Sequence, residues 1–262
     1  MPTKENIDHG KPYDWGRTSK DYVKHRPGYP PEFFTILQSI GVGLAGQHIL
    51  DLATGPGTLA VPFALQGAKV AALDIAENQI EAAQEYARSS GATLEFIVAD
   101  GTSTGLPSRS FDVVSASMCL HYFDRSAIVG EIKRLLRSDG VLLAASLLYL
   151  PGQSDIAAAS EKLILEHNPE WTSSGYDGEV SANPPWAKDD FRVKSFHRYI
   201  TEIPFTREGW RGRIRACRGI GASLDPEEVE YFDRAHAQML EPLVGETFCI
   251  PHLVVIHVYD MV

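Results

Sequence analysis

Ile49-Leu50-Asp51-Leu52-Ala53-Thr54-Gly55-Pro56-Gly57-Thr58 decides the fold, because a short apolar run ends in an acid and then collapses into small residues. The run suits a buried strand, and Gly55 and Gly57 permit positive φ and let a ligand lie against bare backbone. A helix from Thr58 to about Gln66 completes a strand, tight turn and helix. Free N–H groups at that helix start, next to a carboxylate at the strand end, suit a small ligand carrying both charges.

Strands and helices alternate outward from this stretch. Phe33, Phe34, Leu37 and Ile40 recur at helical spacing behind Pro31, giving a helix to about Ser39. Strands are expected at His48–Ala53, Lys69–Asp74, Thr93–Ala99, Phe111–Met118 and Gly140–Leu148, with helices at Glu77–Ser89 and Arg125–Leu136. Such alternation reads as right-handed crossovers on a parallel sheet, with ligands beyond the strands' C-terminal ends. Residues 1–31 read as a flexible leader with a short helix and turn. After Leu150 the regularity breaks. Ile156–His167, Thr206–Cys217 and Pro226–Leu243 read as helices, with Asp225 as N-cap of the last, and Asn168–Pro185 reads as irregular. Ser195–Phe205 and Phe248–Tyr259 read as strands, Pro251 favouring an edge or a bulge in the second. The expected organisation is a leader and cofactor-covering segment (1–31), a cofactor-binding core (32–150), and an insert of cap helices with the last two strands (151–262).

The 262 residues, 44% hydrophobic, can bury one full-sized core. A formal net charge of −10 argues against tracking a nucleic-acid backbone, which needs Lys and Arg to neutralise phosphates. Cys119, Cys217 and Cys249 are odd in number and far apart, which indicates neither a disulfide framework nor a metal site and suggests a reducing cytoplasm. The N-terminus lacks a signal-peptide core, and no run of about 18 apolar residues suggests a membrane span.

Three acids fall at or just past successive strand ends: Asp51, Asp74 and Asp100. Asp74 can accept both hydroxyls of a ribose, Asp100-Gly101-Thr102 suits an adenine edge, and Asp51 is left free for an ammonium group. A ligand with adenine, ribose and an amino acid satisfies all three, and S-adenosylmethionine is such a ligand. The rival is a dinucleotide, since Gly55-x-Gly57-x-x-Ala60 formally matches its fingerprint with Asp74 at the ribose spacing. Asp51 immediately before the turn would repel a pyrophosphate, and Asp100 has no task in a nicotinamide site.

The ordered set Ile49–Gly57, Ala72-Leu73-Asp74-Ile75, Val98-Ala99-Asp100-Gly101, Phe111-Asp112-Val113-Val114 and Leu135-Leu136-Arg137-Ser138-Asp139-Gly140 resembles the class I S-adenosylmethionine-dependent methyltransferases. Arg26-Pro27-Gly28-Tyr29-Pro30 and His121-Tyr122-Phe123-Asp124 are similar to the small-molecule branch of methyltransferase type 11, which includes trans-aconitate and ubiquinone/menaquinone enzymes. The resemblance covers roughly residues 22–148 and departs from the family at Ala53, where a glycine is usual. It implies a Rossmann-like α/β fold with a seven-stranded, mostly parallel sheet, helices on both faces, an antiparallel C-terminal strand and a helical substrate-side insert. It also implies that Asp51, Ala53, Gly55 and Gly57 line the methionine part, Asp74 and Ile75 the ribose, and Asp100, Gly101 and Thr102 the adenine. Met118, Cys119 and His121 would pass close to the ligand, and Tyr22 or Arg26 would reach the methionine carboxylate.

A sulfonium methyl is already activated, so catalysis needs mainly alignment and exclusion of water, with a base only where the acceptor loses a proton. His121 is the candidate base; it can equally pack over the adenosine or cap the next helix. Arg207, Arg211, Arg215 and Arg218 share a helix face that can bind an anion or pair with surface acids, and Arg213 points elsewhere and can face inward. Tyr149, Trp186, Trp171, Tyr176 and Trp210 can wall an acceptor pocket or simply fill the core. The expected function is methyl transfer to a small molecule, anionic or aromatic, the alternative being a non-catalytic cofactor-binding protein or partner subunit. Transfer to protein or RNA is disfavoured by the acidic charge, and no oligomeric state is implied.

Overall fold

A computed structural model describes residues 7–262. Among the described residues there are seven strands: β1 (His48–Leu52), β2 (Lys69–Asp74), β3 (Glu95–Val98), β4 (Phe111–Ser117), β5 (Leu136–Tyr149), β6 (Phe191–Thr206) and β7 (Thr247–Met261). The helices are α1 (Ser19–His25), α2 (Pro31–Ser39), α3 (Ala60–Leu65), α4 (Glu77–Ser90), α5 (Arg125–Leu135), α6 (Asp155–His167), α7 (Arg207–Arg215) and α8 (Pro226–Leu240). The strands form one sheet in the order β3-β2-β1-β4-β5-β7-β6. The pairs from β3 to β5 are parallel and the C-terminal strands antiparallel, which is the Rossmann-like arrangement expected.

The chain clusters into two compact units. A sheet unit comprises Gly28–Leu147, Val180–Tyr199 and Val254–Val262, and a helical unit comprises, of the described residues, 7–27, Leu148–Glu179 and Ile200–Leu253.

In the sheet unit the strand order runs one way through β1, β2 and β3 and the other way through β4 and β5, so the crevice beyond the C-terminal ends of β1 and β4 lies at a switch point. The central strands read as apolar runs because they are covered on both faces: Leu50, Leu52, Leu73, Val114 and Leu142 share a core with Ile132, Leu135 and Tyr259. Helix α3 starts at Ala60 rather than Thr58, because the chain first closes a turn with Gly57 N–H donating to Thr54 C=O at 3.0 Å. β5 begins at Leu136, ahead of the expected Gly140: Leu136 pairs with Phe111, and the register shifts before Val141 pairs with Val113.

In the helical unit α1 packs on α7, and α8 packs on α6 and α7. Asp225 caps α8 as expected, in a reciprocal capping box with Glu228. A buried network ties the helices: Trp210 Nε1–H donates to Ser160 Oγ at 2.9 Å, and His236 Nε2 lies 3.0 Å from the same oxygen. Burial pulls the His236 pKa down to about 4, so its ring is neutral.

Of the two alternatives for Pro251, an edge or a bulge, the edge is ruled out: Pro251 lies on β7, which has a neighbour on each side. The missing N–H of Pro251 is tolerated, and its carbonyl accepts from Leu150 N–H at 3.0 Å. The expectation of a flexible N-terminal leader fails from Ile7 onward. Ile7, Asp8 and Tyr13 are buried; Asp8 accepts from Thr172 N–H at 2.8 Å and pairs with Arg218 at 3.3 Å, giving this polar stretch a long-range anchor. Residues 1–6 lie outside the described residues.

Candidate cofactor site

Asp51 stands opposite Ser115 across β1 and β4. Ser115 Oγ donates to its Oδ1 at 2.6 Å and Thr54 Oγ1 to its Oδ2 at 2.7 Å. The carboxylate read as free is therefore already engaged by two hydroxyls that hold the turn to the sheet. Burial raises its pKa to about 6 against the lowering effect of those hydroxyls, and the nearby Asp74 charge adds to the rise. Thr54 N–H donates to Leu73 C=O at 2.9 Å, tying the turn to β2 as well. Ala53 takes φ +48°, a left-handed conformation that explains why glycine is usual there. A Cβ on Gly55 (φ +55°) would meet only Gln79 Oε1, at 4.0 Å, so its backbone faces open space. One on Gly57 (φ +80°) would press on Val61 and Ala83 at 3.2 and 3.3 Å, so this glycine serves the packing of α3 on α4.

At the end of β2, Asp74 accepts from Gly55 N–H through Oδ2 and from Ala76 N–H through Oδ1, each at 2.9 Å. Burial raises its pKa and the backbone N–H groups oppose the rise. Ile75 beside it is 69% exposed, an apolar surface next to a carboxylate that already holds the glycine turn. Asp100 is exposed and accepts from Thr102 N–H and Oγ1 at 2.8 and 2.7 Å, both on Oδ1. Gly101 is buried under the Phe123 ring, whose atoms a Cβ would meet at 3.0 Å. Three residues on, Thr104 N–H and Oγ1 both donate to Glu131 of α5, at 2.9 and 2.6 Å. The Arg134 guanidinium beside Glu131 lowers its pKa to about 2, so a full charge anchors this loop.

Beyond β4, Met118 takes φ +55° and donates its N–H to Ala145 C=O at 3.0 Å. Cys119 is buried, its thiol 3.4 Å from Leu52 C=O, and burial holds its pKa far above the usual value, so it is an inert packing group. His121 is exposed, its ring 4.0 Å from Tyr122. Helix α5 is capped by Asp124, which accepts from Ala127 N–H at 2.9 Å, so His121 is not the cap of that helix. Tyr29 stacks on Phe33 at 4.0 Å and shares a 2.8 Å hydrogen bond with Ser117 at the end of β4. Thr54, Ser115, Phe123 and Glu131 escaped the sequence reading because their importance depends on cross-strand and loop contacts; only the hydroxyl of Thr54 inside the turn offered a local signal.

Trp186, also in the sheet unit, packs against Phe191 and Tyr259 at 6.2 and 5.5 Å. In the helical unit, Arg26 lies over the Tyr22 ring at 4.5 Å. Trp171 and Trp210 are buried core residues rather than pocket walls. The arginine face is largely paired: Arg211 with Asp233 and Glu208, Arg215 with Asp21, Asp233 and Glu208, Arg218 with Asp8, and Arg207 with Glu246. Arg213 is different: it is 4% exposed and lies over the Tyr149 ring at 5.1 Å.

The donor set in the sheet unit fits a nucleoside carrying an amino acid. It offers an open glycine backbone, a ribose-suited carboxylate with spare acceptor capacity on each oxygen, an exposed apolar side chain and a second exposed acid. A cleft of about 430 Å³ lined by Val42, Gln47, Asp112, Asp139 and Lys194, at the N-terminal ends of β1 and β4, contains none of these groups. Among the described residues no helix is long and apolar enough to cross a membrane.

Residues 50–144 match the methyltransferase domain family Methyltransf_11. The chain is 28% identical over 168 residues, 63% of its length, to a candidate methyltransferase of Dictyostelium discoideum, of which the match spans 60%. It is 30% identical over 134 residues, 50% of its length, to a ubiquinone biosynthesis O-methyltransferase of Pseudomonas savastanoi pv. phaseolicola, of which the match spans 57%. The chain thus matches less than two thirds of these relatives' own length. A solved structure of a candidate type II methyltransferase from Anaeromyxobacter dehalogenans has the same fold, with a TM-score of 0.57 at 21% identity over 89% of this chain and 96% of that one. The glycine turn and the strand order of the sheet thus accord with the match of residues 50–144 to a methyltransferase domain.

Proposed function

We propose that the protein transfers a methyl group from S-adenosylmethionine to a small-molecule acceptor. The observation that carries this reading is the set of three acids around one open glycine turn: Asp51 beneath it, Asp74 bonded to Gly55, and Asp100 on the next loop. When bound, the cofactor supplies an activated methyl on a sulfonium, so the protein's task is orientation and exclusion of water. Asp74 and Ile75 hold the ribose, and Asp100, Gly101 and Thr102 hold the adenine edge. Ala53, Gly55 and Gly57 present backbone to the amino-acid end, with the charge of Asp51 below them. His121, exposed beyond β4, is the group to take a proton where the acceptor must lose one. The three free cysteines accord with a reducing cytoplasm.

Calorimetric titration with S-adenosylhomocysteine tests the cofactor, and incubation with methyl-labelled cofactor and a metabolite extract tests the transfer. Binding plus label in a small molecule is expected. Binding of NAD in place of S-adenosylhomocysteine would overturn the reading, and binding without transfer to any metabolite would make the protein a cofactor-binding partner instead.

A further inference from the structure

On α7, Trp210, Arg213 and Ile214 share the buried stripe, with Cys217 buried just past the helix, so a guanidinium occupies a position whose neighbours are core. Arginine is almost never fully buried unless paired. Arg211 and Arg215, on the other face, obey that rule through Asp233 and Glu208. Arg213 does not: it makes no ion pair or hydrogen bond with any described residue, and its buried Nε has no partner. Its surroundings are a tyrosine face and groups that add no negative charge. Tyr149 lies under it, burial keeps the Tyr149 phenol protonated, and burial likewise holds His252 neutral. The charge that Arg213 feels most is that of Arg26, a like charge, which together with burial pulls its pKa down. The buried acid Glu161 is already used, accepting from Gly175 N–H at 2.8 Å and from the Tyr149 hydroxyl.

A charge held this way is costly in the free protein. Removing one partner from a buried pair leaves an uncompensated ion and is strongly destabilising, and here the fold itself provides no partner. A planar, singly charged carboxylate matches the guanidinium fork bidentately and supplies the missing countercharge. The aromatic face of Tyr149 fixes the plane of the fork, and Arg26 adds attraction for the same anion.

We propose that Arg213, lying over Tyr149 with Arg26 near it, anchors a subsite in the helical unit that binds the carboxylate of a small carboxylic acid. The amino-acid carboxylate of S-adenosylhomocysteine is the other source of the same chemistry, and the test separates the two.

The test uses the full-length protein, with wild type, Arg213→Met, Arg213→Lys and the exposed control Arg234→Gln compared. Benzoate, succinate and citrate are titrated with and without S-adenosylhomocysteine, with inorganic phosphate as the competing anion. At least one carboxylate is expected to bind wild type and the control and to raise their melting temperature. Binding falls about tenfold or more in Arg213→Met, as for loss of a bidentate charged pair, and is partly kept in Arg213→Lys. Without ligand, Arg213→Met should melt above wild type, because an unpaired buried charge has been removed. Cofactor-product affinity should stay within about twofold throughout, a change well below that of one hydrogen bond. Wild type that binds none of the carboxylates at about 10 mM, far weaker than a functional subsite, would overturn the proposal. So would phosphate bound in preference, or an Arg213→Met protein that binds carboxylates as well as wild type. A parallel tenfold loss of S-adenosylhomocysteine affinity would overturn the assignment to a free acid in favour of the cofactor's carboxylate. Wild type that binds a carboxylate through Arg213 but no S-adenosylhomocysteine would support the subsite and overturn the methyltransferase reading alone. Lower stability of both Arg213 variants with unchanged anion binding would mark Arg213 as a packing residue and overturn the subsite.

Discussion

Asp74 Oδ2 accepts the Gly55 N–H at 2.9 Å, joining the acid at the end of the second strand to the first glycine of the turn after the first. One carboxylate therefore shapes the turn while retaining lone pairs for a ligand, and Gly55 is held open before anything binds.

Asp74→Ala removes the acceptors for both Gly55 and Ala76 N–H groups along with those for the ribose. Hydrogen bonds to a charged acceptor contribute about 1.5–3 kcal/mol each, so S-adenosylhomocysteine affinity should fall by about tenfold to a hundredfold or more. Stability should fall as well, by about 1–3 kcal/mol for two backbone donors left without their acceptor. Calorimetry and urea unfolding on the same preparations separate the two effects. Unchanged affinity would remove Asp74 from the cofactor site.

Ala53→Gly relieves a left-handed alanine. A non-glycine residue at positive φ costs roughly 1–2 kcal/mol, and glycine gives part of that back through the flexibility of the unfolded chain. A net gain of about 0.5–1 kcal/mol is expected, read as a rise of about 1–4 °C in melting temperature. Ala53→Val should shift the melting temperature the other way, because β-branching makes φ +48° harder still.

The succession of strands and helices along the chain was legible because its signals are local: an apolar run, a glycine turn, an amphipathic helix, each within about a dozen residues. The same local logic recovered the Asp225 cap and the inward turn of Arg213. It failed where distant segments meet. Asp8 binds Thr172 and Arg218, and Asp21 binds Arg215, so an apparently loose N-terminal stretch is fixed by partners that no periodicity connects to it. Asp51 looked free for a related reason, since the hydroxyl of Ser115 arrives from a strand beside it in space and 64 residues away in sequence. The edge alternative at Pro251 failed because a missing donor is a local liability, whereas the place of its strand in the sheet depends on what flanks it.

Gly212→Ala should be among the more damaging small substitutions. Gly212 is buried on α7 where α1 crosses it, and an added methyl would overlap the His25 ring. Helix propensity favours alanine by about 1 kcal/mol, but overpacking at a helix crossing typically costs about 1–3 kcal/mol and here displaces a whole ring. A net destabilisation of about 1–2 kcal/mol is expected in chemical denaturation. The double variant with His25→Ala should recover much of it, since the two changes share one contact. Failure of that rescue would mean the two helices do not pack as described.

The Asp51 carboxyl makes both stability and cofactor affinity depend on pH, in opposite senses. Its folded pKa, about 6, lies above the usual 3.8, so between those values the folded chain keeps a proton that the unfolded chain releases. Stability of the free protein should therefore fall as pH rises from about 4 to about 6, by a total on the order of 3 kcal/mol, and this contribution should level off above that. Burial of Asp74, whose pKa is also raised, adds to the same trend. A ligand ammonium near Asp51 would prefer its ionised form, so S-adenosylhomocysteine should bind more tightly as pH rises through about 6 and reach a plateau near neutrality. Asp51→Asn keeps an oxygen to accept from one of the Ser115 and Thr54 hydroxyls and offers an N–H to the other, but cannot ionise, and its affinity should be lower and flatter over the same range. Calorimetric titrations at several pH values, with unfolding curves in the same buffers, give both slopes. An affinity that rises equally in the variant would assign the titration to another group, and one that falls with pH would mean that no ammonium lies near Asp51.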